Sequence, residues 1–458
     1  MTERSLTANN VGVAAGTLAS RVTGLARLVV FAAVIGQTAL ADVFDVGNNA
    51  PNVIYELLLG GTLTAALVPL FVSLRERNDR DSVASVLGAG IVALTLITAI
   101  SVIAAPLIFR LYALSPSGDA PLFHLVGTAM TRIFLLQVFF YGLNALAAAA
   151  LNAQGKFYAA AWAPVVSNLV AIAALLAIRN DPRIESVGLA DATSYSPLFW
   201  WFTLGPTIGI ASMAFVVVIA AVRAGALPMP RFTISNDAVR RLVGVSGWAI
   251  GYIAVNQVAL VVVKNLAEPG SGGLDAYAKA MTLFQLPHGL LAVTIATTAT
   301  PLLAQAASRQ DAGLFSASFT RGARQTVLWT LIPSITLVLF ARPIVSVTLG
   351  WGSFDDRAVT TTAQVLSALS LGLVGFSLYL FVLRGFYSHG DTRTPFLLNC
   401  FENALNIVLA LMLVDRYGVR GLGLAFAVAY LVSSLVALEV LHRMHATPRL
   451  GGVLARRR

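Results

Sequence analysis

An all-α polytopic membrane fold is predicted by three observations: the composition, a series of apolar runs of spanning length, and the placement of positive charge between them. Apolar residues make up 57% of the 458, charged residues only 11%, and the mean hydropathy is +0.79. A soluble domain carries about 25% charge, so a water-soluble core of this length is excluded. Twelve apolar runs fall near 10–36, 40–74, 82–113, 122–153, 156–178, 196–222, 238–264, 274–306, 315–349, 358–388, 392–414 and 418–442. Each is long enough to cross a hydrocarbon layer, and the longest must tilt, bend or project beyond it. Pro51, Pro69, Pro106, Pro164, Pro206, Pro287, Pro301 and Pro333 lie inside these runs and predict kinks, because each removes a backbone donor.

The connections set the orientation. With the N-terminus inside, Arg4, Arg75, Arg77, Arg80, Lys156, Arg223, Arg231, Arg240, Arg241, Arg309, Arg321, Arg324, Arg384, Arg393 and the C-terminal arginines Arg443, Arg449, Arg456, Arg457 and Arg458 are cytoplasmic. Only Arg179, Arg183, Arg342, Arg357, Arg416 and Arg420 are left outside. The bias predicts both termini in the cytoplasm and an even number of spans. It accounts for the net charge of +10 without nucleic-acid binding. The single cysteine, Cys400, excludes an internal disulfide, and the five scattered histidines form no metal-spaced cluster.

Two arginines break the apolarity of the first span. Arg21 and Arg27 lie within Val11–Gly36, where a charge costs at least ~2.5–3.5 kcal/mol and normally faces a wet cavity or an opposite charge. A spacing of six separates them by about 9 Å along the axis and puts them on one broad flank. The expectation is a permanently cationic intramembrane site for something anionic. Snorkelling to the headgroups is the plain alternative.

The halves echo each other at an offset of about 235 residues. Gly155 precedes a helix bearing Asn168, and Gly390 precedes one bearing Asn403 at the same spacing. Pro51 is likewise matched by Pro287. Six helices per half give repeats of like orientation, related by a pseudo-twofold along the membrane normal around a central cavity. The expected organisation is a six-helix lobe over 1–225, a second over 226–446 and a basic tail over 447–458.

The segment Ser20-Arg-Val-Thr-Gly-Leu-Ala-Arg27, then Ala41-Asp-Val-Phe44, Pro51-Asn52 and Gly60-Gly-Thr-Leu-Thr-Ala-Ala-Leu-Val-Pro69, resembles the MurJ (MviN) lipid II flippase family. Tyr277-Ala-Lys-Ala-Met-Thr-Leu-Phe-Gln-Leu-Pro-His-Gly289 and Val419-Arg-Gly-Leu-Gly-Leu-Ala425 extend the resemblance over nearly the whole chain. The wider superfamily of multidrug, oligosaccharidyl-lipid and polysaccharide exporters shares the two-lobed fold but not this set of motifs. The resemblance implies a bacterial inner-membrane transporter, not an enzyme. Its cargo would be the undecaprenyl-pyrophosphate disaccharide-pentapeptide of peptidoglycan synthesis, with cell-wall synthesis proteins as partners. By motif, Arg21 and Arg27 would bind the pyrophosphate, and Asp42 would be the second-helix acid. Arginine suits the task because its fixed charge and planar fork grip phosphate oxygens in pairs.

The chain departs from the family pattern at several points. Tyr55 and Glu56 stand where an arginine follows the proline-asparagine pair, and Thr282 stands at the eighth-helix arginine. Lys279, one turn from Thr282, is the candidate replacement cation. The resemblance also implies ion coupling in the second lobe. Glu402 and Asn406 align with two of its positions and suit Na⁺, while Glu402 alone would suit H⁺. Val263 and Phe426 occupy the other two positions, and cross-helix hydrogen bonding is the competing role for the pair. The family's two further C-terminal helices would begin near Arg449, where this sequence ends. An ion-coupled exporter of drugs or other organic solutes, a flippase for another polyprenyl-linked oligosaccharide and a non-transporting scaffold remain the alternatives. Arg21 and Arg27 argue against an exporter of cations.

Overall fold

The computed structural model describes residues 3–59, 62–181, 188–194, 196–231 and 247–445. The described residues are helical and contain no strand. The Gly60-Gly61 pair and the tail 447–458 lie outside them. The chain divides into two compact units, Met1–Gly247 with Trp351–Phe354, and Trp248–Gly350 with Asp355–Arg458.

The first unit is built from α1 (Glu3–Ile35), α2 (Ala39–Leu59), α3 (Thr62–Glu76), α4 (Arg80–Ile103), α5 (Ala105–Leu111), α6 (Ala120–Phe134), α7 (Gln137–Asn152), α8 (Tyr158–Arg179), the short α9 (Asp191–Ser194) and α10 (Ser196–Arg223). Helix α8 is the hub, lying between α1 and α10. Its join to α1 depends on small residues. A Cβ on Gly16 would come within 2.7 Å of the Trp162 ring, so the ring seats on bare backbone. Trp162 Nε1 donates to Gly12 O (3.1 Å), and Asn168 Nδ2 donates to Ser20 O (3.2 Å) and Thr23 Oγ1 (3.0 Å). Asp79 starts α4, accepting the Ser82 N–H at 2.9 Å and the Ser82 hydroxyl at 2.6 Å. Those bonds hold its carboxyl below the ordinary carboxylate range.

The second unit contains α11 (Gly247–Leu266), α12 (Gly273–Pro287), a π-turn (His288–Ala292), α13 (Val293–Ser308), α14 (Ala312–Leu339), α15 (Ala341–Leu349), α16 (Asp356–Ser370), α17 (Leu373–Ser388), α18 (Arg393–Tyr417) and α19 (Val419–His445). Its core gathers Phe315, Phe319, Tyr379, Phe381, Phe386 and Leu441. Gly251 on α11 receives the Phe396 ring as Gly16 receives Trp162, since a Cβ there would come within 2.8 Å. Gly155 and Gly390, at φ +72° and +74°, turn the chain identically before α8 and α18.

Eight described helical stretches are long and apolar enough to span a membrane, or ten if two bent pairs each count once. Twelve runs were expected. The described part of the run at 40–74 consists of Ala39–Leu59 and Thr62–Glu76, on either side of the undescribed Gly60-Gly61. The run at 238–264 retains only the short apolar helix Gly251–Leu266 among described residues. Two runs bend sharply, by 79° between α14 and α15 and by 47° between α16 and α17. Pro106 is a further difference. It does not kink a helix but sits in the first turn of α5, where a missing N–H costs nothing. The other seven prolines lie within helices.

The turn Trp351–Phe354 belongs with the first unit through main-chain contact. Ser353 N–H donates to Ala33 O at 2.9 Å. Gly36 and Gly352 both have positive φ, and a Cβ on Gly352 would come within 2.3 Å of Ala33 O.

Candidate functional site

The first unit holds Arg21, Arg27 and Asp42. Helix α1 places the two arginines differently. Arg21 is exposed, whereas Arg27 is half-buried and lies in the electrostatic field of Tyr141 on α7. The single broad flank expected from their spacing is corrected by the helix geometry, because six residues at 100° each leave side chains about 120° apart. Tyr141 also interacts with Asn52, and its ring lies 5.7 Å from that of Tyr55. The tyrosine standing in place of an arginine is therefore part of Arg27's surroundings. Asp42 is fully buried in the first turn of α2, which Thr38 caps by accepting the Ala41 N–H at 3.2 Å. The positive end of a helix favours a carboxylate there.

The second unit holds Lys279, Glu402 and Asn406. Lys279 is buried on α12 and paired with the equally buried Asp275, one turn earlier. Thr282 on the same helix is exposed and bonds back to Ala278 O. Lys279 is thus charge-matched within its own helix. The i,i+4 spacing of Asp275 and Lys279 is a readable signal for this pair.

Asn399, Glu402, Asn403 and Asn406 form one buried stripe along α18. Asn403 Nδ2 donates to Asn256 Oδ1 (3.0 Å) and to Asn399 Oδ1 (3.1 Å), and Asn399 Nδ2 donates to the Tyr252 carbonyl (3.1 Å). Cross-helix bonding is therefore done by Asn399 and Asn403. Both Glu402 oxygens and Asn406 Oδ1 lack a partner of hydrogen-bond geometry. Tyr252, Tyr277, Tyr379 and Tyr430 all stand within the electrostatic reach of Glu402. The Tyr430 hydroxyl is the donor that interacts with Glu402, while the buried Asn406 Oδ1 is costly unless something else meets it. Val263 and Phe426 are both buried and apolar. Among the described residues no group of three or more His, Cys, Asp or Glu side chains converges as a metal site.

The fold defines a class first. One solved structure it resembles is titled "Inward-facing conformation of a multidrug resistance MATE family transporter of the MOP superfamily", with a TM-score of 0.74, 14% identity, and coverage of 93% of this chain and 94% of that one. Another, "Lipid II flippase MurJ, inward closed conformation", gives a TM-score of 0.77 at 22% identity, covering 96% and 89%. These place the chain among all-helical membrane proteins of the MATE-like and MurJ-like fold. The family profile described as "Lipid II flippase MurJ" matches residues 31–456. The chain belongs to the lipid II flippase MurJ family. It is 27% identical over 430 residues to the lipid II flippase MurJ of Burkholderia cenocepacia, covering 92% of this chain and 80% of that protein. It is 29% identical to the probable lipid II flippase MurJ of Rhizobium tropici, covering 96% and 81%.

Proposed function

We propose that this chain is a lipid II flippase that carries undecaprenyl-pyrophosphate disaccharide-pentapeptide from the inner to the outer leaflet by alternating access. The observation that carries the reading is the arginine pair on α1, Arg21 exposed and Arg27 half-buried, just ahead of the region 31–456 that matches the family. Two six-helix lobes, 1–225 and 226–446, related by a pseudo-twofold along the membrane normal, are the moving bodies. The recurring glycine seats and glycine–asparagine spacing support this arrangement. Both termini lie in the cytoplasm.

Arg21 and Arg27 bind the pyrophosphate, each able to present two parallel N–H groups to its oxygens. Asp42 belongs to the same recognition set. Lys279 contributes through its pair with Asp275 and becomes available to the anion only if that pair opens. Glu402 and Asn406 take up the coupling ion, Na⁺ or H⁺. Their buried oxygens fit either, offering acceptors for a hard cation or a carboxylate to protonate. Membrane potential adds about 2.3 kcal/mol per unit charge per 100 mV.

The test is leaflet accessibility of the precursor in cells depleted of this protein. Arg21→Ala or Arg27→Ala at normal membrane levels is expected to leave the precursor inside and to fail in complementation. Arg27→Lys separates a need for charge from a need for the guanidinium fork. Full growth with both alanine variants defeats the reading.

A further inference from the structure

A cavity of about 470 Å³ opens in the first unit where α3, α4, α7 and the segment after α10 meet. Phe71, Leu74 and Leu227 form an apolar floor, and Arg75, Arg80 and Gln154 stand at its polar side. The acidic neighbour, Asp79, is occupied: both its oxygens accept from Ser82 at the start of α4. Arg75 Nη1 donates to Ala153 O at 3.0 Å, leaving its other N–H groups directed elsewhere. The Arg80 guanidinium has no ion-pair or hydrogen-bond partner among the described residues. The segment covering the cavity is fixed in place. Gly225 turns at φ +68°, Arg231 N–H donates to Ala84 O at 2.9 Å, and the Arg231 side chain pairs with Asp81.

The two guanidinium groups outnumber the one lining carboxylate, Asp79, which keeps its charge and is turned to Ser82, so the lining is net cationic beside apolar side chains and suits an amphiphilic anion. From this we propose that the cavity binds a phosphate-bearing anion, gripped by Arg75 and Arg80 with its apolar part against Phe71, Leu74 and Leu227. The site is separate from Arg21 and Arg27. Because the covering segment forms its wall, an occupant also holds residues 224–231 against α3 and α4. The phosphate can come from an anionic phospholipid headgroup or from a soluble phosphate compound.

Thermal unfolding of the intact protein in nanodiscs tests both sources. One arm compares phosphatidylcholine alone with added phosphatidylglycerol; the other adds inorganic phosphate to phosphatidylcholine discs at constant ionic strength. The expected result is an upward shift in Tm that saturates with phosphatidylglycerol. The apparent affinity falls about five- to tenfold for Arg80→Gln and further for Arg75→Ala with Arg80→Gln. Arg77→Gln, on the same loop but outside the cavity, leaves it unchanged. The Arg80 side chain makes no hydrogen bond or ion pair among the described residues that its loss would break, so Arg80→Gln unfolds like the parent in phosphatidylcholine alone. A shift with phosphatidylglycerol and none with phosphate assigns the headgroup, and a shift with phosphate assigns a soluble source. No shift with either, or an equal loss in Arg77→Gln, overturns the site.

Discussion

The two units use one joining device for opposite chemistry. In the first, Gly16 seats Trp162 and Asn168 bonds to α1, leaving Arg21 exposed on that helix. In the second, Gly251 seats Phe396 and Asn403 bonds to α11, and the charged groups nearby are buried: Glu402 among tyrosines and Lys279 against Asp275. A fixed cation that meets the outside suits binding of an anionic cargo. A buried acid suits uptake of something small. The contrast teaches that the scaffold is duplicated and the chemistry is not.

The largest expected effect tests whether the Lys279 pair is structural. Asp275→Ala removes the carboxylate paired with the buried Lys279 ammonium and costs about 3–5 kcal/mol, read as a drop in Tm of the purified protein. Asp275→Leu combined with Lys279→Met recovers most of that stability. If the double variant also restores transport, Lys279 is scaffold; if it folds but does not transport, Lys279 belongs with Arg21 and Arg27. Next come the glycine seats. Gly16→Ala and Gly251→Ala each force an aromatic ring to move and cost about 1–3 kcal/mol, and comparable losses in the two variants establish that the seats are equivalent. Asn403→Ala is expected to exceed Asn168→Ala, each about 1–3 kcal/mol, because its loss takes the amide donor from both Asn256 Oδ1 and the buried Asn399 Oδ1. The smallest effect belongs to Asp79. Asp79→Ala removes a helix cap worth about 1 kcal/mol. Its carboxyl titrates below the usual range when folded, so its contribution is present above the unfolded carboxylate pKa and is lost as pH falls through the lower folded one. An unfolding series run downward from neutral pH checks this, with parent and variant converging in acid.

Much of this was legible in the chain. A charge inside an apolar run stands out at once, so Arg21 and Arg27 could be picked without any structure. The spacing of Gly155 to Asn168 and of Gly390 to Asn403 survives in the coordinates because a left-handed turn and a cross-helix amide are local requirements. What escaped reading depends on distant segments meeting. The four tyrosines near Glu402 come from α11, α12, α17 and α19, and no spacing along the chain connects them. The angular relation of Arg21 to Arg27 was readable but was drawn too loosely, since six residues fall short of two full turns. The bend between α14 and α15 lacks a proline at its apex, Phe340; Pro343 follows within the first turn of α15, where it is tolerated.

The joint at Trp351–Phe354 has a consequence for anyone mapping this protein by mutation. Its hydrogen bond runs from one peptide group to another, and its close approach is permitted by two residues that have no side chain to remove. Truncating side chains reaches only the longer Ser353 Oγ to Val34 O bond (3.4 Å) and the buried Phe354 ring, and leaves the peptide-to-peptide contact in place. An addition reaches that contact directly: a single methyl at position 352 must displace the Ala33 carbonyl or break the turn. Contacts of this kind are inherited as a constraint on what residues lack, and a survey that looks only for what residues contribute will miss that part of the joint.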